Sequence, residues 1–180
     1  MYKLFITSFL LFDCATTAVT TPGPAAAPSV QVPDALKVAP DRKLALEAHA
    51  KGVQIYQCKA KSDDPAKYEW ALKAPEAELT GAGGAPVGKH YAGPTWESTD
   101  GSKVVGQVKA RDPGPDASAI PWLLLEAKST SGDGVLGRIT AIQRVDTVGG
   151  KAPADGCSRE AEGKEARVSY KARYLFYRAP

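Results

Sequence analysis

The sequence predicts an all-β fold: a single antiparallel β-barrel or β-sandwich of about eight strands behind a disordered N-terminal tether. Three observations predict it. Runs of alternating or β-branched residues recur between turn residues along most of the chain. The last run, Arg167 to Tyr177, puts Val168, Tyr170, Ala172, Tyr174 and Phe176 on one face and Ser169, Lys171, Arg173 and Tyr177 on the other, with only Leu175 out of pattern; a period of two is a strand signature and leaves no helical stripe. Asp100-Gly101, Asp133-Gly134, Gly149-Gly150 and Asp155-Gly156 supply the positive φ that tight turns demand. The chain has no asparagine, so these pairs and the prolines carry the turns, and no Asn-linked glycan acceptor exists. No self-similar repeat is present, which argues against a propeller or solenoid.

In chain order, residues 1–18 read as a signal peptide: Lys3 precedes the apolar run Leu4 to Phe12, and small residues follow at Thr16-Thr17-Ala18. That run is far shorter than the roughly twenty residues of a membrane-spanning helix, so no transmembrane span is expected. A lipid anchor at Cys14 is the alternative, resting on Leu11 and Cys14 alone. Residues 19–43 form a Pro/Ala-rich tether holding five of the fourteen prolines. Residues 44–180 form one β domain. Its expected strands are 44–51, 53–59, 68–72, 104–110, 122–128, 137–145 and 167–177, the first having a short helix closed by Gly52 as its alternative.

Composition excludes several functions. The 23 basic and 20 acidic side chains give a net charge of +3, too small and too evenly spread for a nucleic-acid binder. The hydrophobic fraction of 43% includes 29 alanines, so the usable core is modest. Once the leader is removed, Cys58 and Cys157 remain, and an even number of thiols in an exported chain is most simply a disulfide. Closing so long a loop stabilises by up to about 4.7 kcal/mol in the chain-entropy model. The competing reading, a reactive thiol or metal ligand, lacks a CxxC partner or a nearby histidine.

Gly132-Asp133-Gly134-Val135-Leu136-Gly137 has the letters of a dinucleotide fingerprint, but a β-branched strand pattern follows where a helix is required. Gly81-Ala82-Gly83-Gly84 lacks the Lys-Ser/Thr ending of a phosphate-binding loop. With only His49 and His90 and no clustered ligand spacing, neither metal nor cofactor is expected. No serine sits in a Gly-x-Ser-x-Gly elbow.

The densest polar and aromatic segment is 90–102. His90 could act as a general base, Glu97 and Asp100 as a carboxylate pair and Trp96 as an aromatic platform. Strand parity weakens the pairing, because Trp96 and Glu97 face oppositely and Glu97 and Asp100 diverge. The plainer reading is a packed Trp96 under an Asp100-Gly101 turn. Trp70 and Trp122 are expected in the core, and Tyr56, Tyr91, Tyr170, Tyr174 and Tyr177 could line a cavity or merely occupy strands.

Four motifs in order carry a resemblance: Gly52-Val53-Gln54-Ile55-Tyr56-Gln57-Cys58, then His90 to Glu97 with Asp100-Gly101-Ser102, then Ala119-Ile120-Pro121-Trp122-Leu123-Leu124, then Ile142 to Pro153 ending at Cys157. Together they resemble an exported bacterial and fungal family known as domain of unknown function 3455. The resemblance covers the chain from about Val32 to the end. It implies export, one domain and a link between the cysteine-bearing motifs, and it brings no catalytic residues. By chemistry, the candidate ligand-binding residues are His90, Tyr91, Trp96, Glu97, Asp100, Gln143 and Arg144. The expectation is an exported, periplasmic or cell-envelope binding module for a small molecule or a cell-envelope saccharide. The alternatives are a hydrolase using His90 with Glu97 or Asp100, and a structural surface protein.

Overall fold

A computed structural model describes Met1 and residues 30–180. Residues 2–29, which hold most of the expected signal peptide, Cys14 and the first part of the expected tether, lie outside the described residues. Eight strands follow one another: β1 (Lys43–Ala60), β2 (Tyr68–Thr80), β3 (Pro86–Tyr91), β4 (Thr95–Ser98), β5 (Lys103–Asp112), β6 (Trp122–Ser131), β7 (Ile139–Gly149) and β8 (Glu165–Arg178). Each pairs antiparallel with the next, and β1 pairs with β8, which closes an up-and-down barrel.

The two runs expected at 44–51 and 53–59 are one strand, because Gly52 sits inside β1 between Ala77 and Tyr170. A Cβ there would lie 2.1 Å from the Glu76 carbonyl oxygen, so this glycine serves close strand approach and not a turn. Strands β3 and β4 had no counterpart among the expected strands. They are six and four residues long, too short for alternation to stand out. At Asp133-Gly134 the positive φ falls instead on Gly132.

The shortness of β3 and β4 shapes the wall. Strand β2 meets β3 only from Ala77 to Thr80, and β5 meets β4 only from Lys103 to Val105. Residues 68–76 of β2 and 107–112 of β5 therefore run on without a strand between them, leaving a notch. Its floor is the β3–β4 turn, with a cis Gly93–Pro94 bond and the Pro94 carbonyl bonded to Gly106 N at 2.9 Å.

The barrel has two apolar clusters. The inner one fills the lumen and includes Trp96, Leu125, Ile142, Tyr174 and Phe176. Trp96 fits because β5 has Gly106 beneath it: a Cβ there would come within 2.9 Å of the indole ring. The outer cluster joins Trp122, Leu124, Val145 and Leu175 to Leu36, which is fully buried. Residues 30–38 are thus laid across the outside of the barrel, around a short 3-10 turn at Asp34–Leu36. The C-terminal part of the stretch read as a tether is a packed strap, and it explains Leu175, an apolar residue on the outward face of β8. Trp122 is buried, but in this outer cluster, and Trp70 is not in the core: it stays partly exposed and donates from Nε1 to the Asp155 carbonyl at 2.9 Å. Cys58 and Cys157 form a disulfide with Cα atoms 5.4 Å apart, pinning the β7–β8 connection to the end of β1.

Candidate functional site

A cleft of about 490 Å³ runs from the notch into the lumen. Strand parity decides what faces it. Ala48 and Ala50 are buried inward, and the same parity carried through Gly52 brings Gln54 and Tyr56 to the cleft. In β2 an extra residue, Lys73, bulges where Ile55 pairs with Ala74 and Tyr56 with Leu72. In β5 a second bulge at Lys109 reverses the parity and puts both Val108 and Arg111 on the cleft. Leu72 and Val108, on opposite lips, are 57% and 36% exposed, unusual for large apolar side chains.

His90 and Trp96 are cross-strand partners in β3 and β4 and both point inward. Their rings stack with centroids 4.3 Å apart and planes within 8°. Tyr174 meets both edge-on at 5.3 Å. The Thr95 carbonyl lies 2.8 Å from His90 Nδ1; a carbonyl can only accept, so Nδ1 carries the proton and the neutral ring keeps its lone pair on Nε2. Burial pulls the imidazole pKa down to about 3, and the nearby Arg144 charge acts in the same direction.

Arg144 enters the cleft from β7, its Nε and Nη2 both donating to the Pro121 carbonyl at 3.1 and 2.8 Å. Its charge also opposes the effect of burial, which raises the pKa of Tyr56, Tyr170 and Tyr174. Tyr56 has a partner, the Gly150 carbonyl at 2.6 Å. Gln54 Nε2, Trp96 Nε1, Tyr170 Oη and Tyr174 Oη are buried without a hydrogen-bond partner among the described residues. Gln54, Trp96 and Tyr174 all line the cleft.

Of the seven candidates from the sequence, the structure brings together His90, Trp96 and Arg144. Tyr91 and Glu97 lie on the outer face, where Tyr91 Oη donates to Glu97 at 2.8 Å and Lys103 stands 3.4 Å away. The Tyr91 bond, with the lysines' help, holds the Glu97 carboxyl below its usual range. Asp100 ties two turns together: Oδ1 accepts from Ser102 N and Oγ, and Oδ2 from Val135 N. These bonds lower its pKa to about 2. Gln143 lies under the strap, donating to the Leu36 carbonyl at 2.6 Å and accepting from Tyr177 Oη at 2.8 Å. The histidine and the two carboxylates therefore do not converge.

A family model described as Protein of unknown function (DUF3455) matches residues 39–178. The chain belongs to the DUF3455 family. Its matched span begins just before β1 and takes in the whole barrel, whereas the strap residues 30–38 precede it. No curated protein and no solved structure matches this DUF3455 chain. Among its described residues, no group of three His, Cys, Asp or Glu is placed to hold a metal ion. No helix there is long and apolar enough to cross a membrane.

Three polar cleft residues escaped sequence reasoning: Gln54, Lys73 and Arg111. Gln54 was findable, since carrying the Ala48–Ala50 parity forward puts a glutamine on an inward face. Lys73 and Arg111 depend on bulges, which shift parity without leaving a clear mark in the sequence.

Proposed function

We propose that this protein is an exported binding module that takes a small molecule, or the end of a cell-envelope saccharide, into the cleft of its barrel. The observation that supports this reading most directly is the cleft itself, about 490 Å³ opening through the notch, with the Arg144 guanidinium set in a largely apolar wall. The volume lies within the range of small-molecule sites, and the exposed Leu72 and Val108 give the entrance an apolar rim. Export is supported by the Cys58–Cys157 disulfide, a bond that persists in oxidising compartments.

Titration with N-phenyl-1-naphthylamine, a neutral dye that brightens in apolar sites, tests the reading. Saturable one-to-one binding is expected, weakened at least about tenfold by Val108→Trp, which pairs with the inward Leu125 and fills the cleft from its β5 lip. Absence of saturation, or equal binding by Val108→Trp, would overturn it.

A further inference from the structure

The charges around the cleft are one-sided. Lys73, Arg111 and Arg144 line it, and no aspartate or glutamate does. Lys73 is neutralised by Glu165 at 2.5 Å, but among the described residues no carboxylate lies within ion-pair distance of Arg144 or Arg111. Arg144 is the deeper of the two, half-buried between Pro121 and Tyr174, its cross-strand neighbour. A guanidinium has five N–H donors; Nε and one Nη2 donor go to the Pro121 carbonyl and another interacts with the Tyr174 oxygen, which leaves donors over. A charge drawn this far from water without a counterion is costly unless something anionic joins it.

The unpartnered atoms agree in kind. Gln54 Nε2 and Trp96 Nε1 can only donate, and the Tyr170 and Tyr174 hydroxyls can donate. Set just behind the wall, these donors add to the field of the guanidinium and favour an acceptor-bearing ligand. The walls between are apolar, formed by Ile120, Leu123, Leu125 and Pro94, so the rest of that ligand must be apolar too.

We infer that the cleft selects a small organic acid, with a carboxylate seated on the Arg144 guanidinium and an apolar body against the lumen wall and the Leu72–Val108 rim. This rests on the binding reading above and names its ligand class. A planar carboxylate can accept two parallel N–H bonds from a guanidinium, a match that neither an amide nor an alcohol reproduces. One site-facing guanidinium at depth suits a single negative charge, and Arg111 at the mouth draws anions toward it.

A matched pair of competitors isolates the charge. 1-Naphthoate and 1-naphthamide have nearly the same shape and differ in charge, and each can displace N-phenyl-1-naphthylamine from the mature protein. The expected result is that naphthoate competes at least about tenfold better than naphthamide. In Arg144→Gln the ratio of acid to amide competition falls to about one, whatever the affinity of the dye for that variant, and in Arg144→Lys part of the preference survives, because a point charge remains without the bidentate fork. Equal competition by acid and amide in the unaltered protein, with the dye bound, would overturn the inference and leave the binding reading standing. A preference for the acid that persists undiminished in Arg144→Gln would also overturn it. Failure of the dye itself to bind would remove both. If Arg144→Gln does not fold, the comparison of acid and amide in the unaltered protein and in Arg144→Lys decides the matter.

Discussion

The barrel wall around β7 and β8 carries the same three side-chain types on both faces, and the two faces treat them differently. Outside stand Gln143, Arg173 and Tyr177. Gln143 bonds the strap through the Leu36 carbonyl and accepts from Tyr177, while Arg173 lies 3.2 Å from Glu47 and 2.9 Å from Asp146. Inside stand Arg144 and Tyr174, one residue along each strand, with Gln54 from β1. There the guanidinium has no carboxylate, and the tyrosine and glutamine have no partner among the described residues. Outside, polar groups hold the protein to itself; inside, the same side-chain types stand at a cleft wall without such partners. The difference separates polar residues that serve stability from those available to another molecule.

The largest loss should come from a change on the outer face. Leu36→Ala should cost about 2–5 kcal/mol in urea unfolding, because it empties a fully buried site under the strap. Dye affinity at the cleft should stay unchanged; a parallel loss would mean that the two faces are coupled through β7 and β8.

Acid should act next, and from the inner side. The folded-state pKa of His90 is depressed from 6.5 to about 3, so the unfolded chain binds more protons throughout that window. Stability rises with pH wherever the unfolded state is the more protonated. The His90 contribution is therefore present above pH 6.5 and is lost as pH falls toward the folded-state value, an effect on the order of 2–3 kcal/mol by pH 4.5. Denaturant midpoints measured between pH 7 and 4.5 should show the decline, and His90→Gln should flatten it. An equal slope in both proteins would place the titrating group elsewhere.

Removing one hydroxyl from each face gives the smallest effect and the sharpest contrast. Tyr177→Phe breaks the bond to Gln143 and should cost about 1 kcal/mol. Tyr174→Phe removes an oxygen without a partner, so the free protein should be unchanged or slightly more stable. Equal losses would show that Tyr174 is satisfied in solution, and the contrast between the faces would disappear.

Much of this architecture is legible in the sequence, and the gaps have physical causes. The alternation in β8 is long and clean, so both its barrel face and its odd Leu175 can be read, although the reason for Leu175 lies more than 130 residues away in the strap. Cys58 and Cys157 are the only cysteines besides Cys14, and they do pair. His90 and Trp96 are close in sequence because a tight hairpin makes them partners, so local reading finds them together. The same closeness misleads for Glu97 and Asp100: one residue of strand parity sends Glu97 outside, and a turn sends Asp100 to Ser102 and Val135. Arg144 is chemically visible in the sequence, but its place beside Pro121 and Tyr174 follows from strand pairing, which no local pattern states.

A closed barrel ordinarily has no edges, and the short β3–β4 hairpin gives two of them back. Along residues 68–76 and 107–112, backbone groups face a gap where a strand from another molecule could add on. The lips are built to resist that. Pro75 has no N–H to offer, Lys73 and Lys109 sit at bulges that break the register, and Glu69, Glu76, Arg111 and Asp112 charge the margins. Self-association through strand addition is thereby discouraged at the one place where the wall invites it, so the opening can persist at high protein concentration without zipping two barrels together.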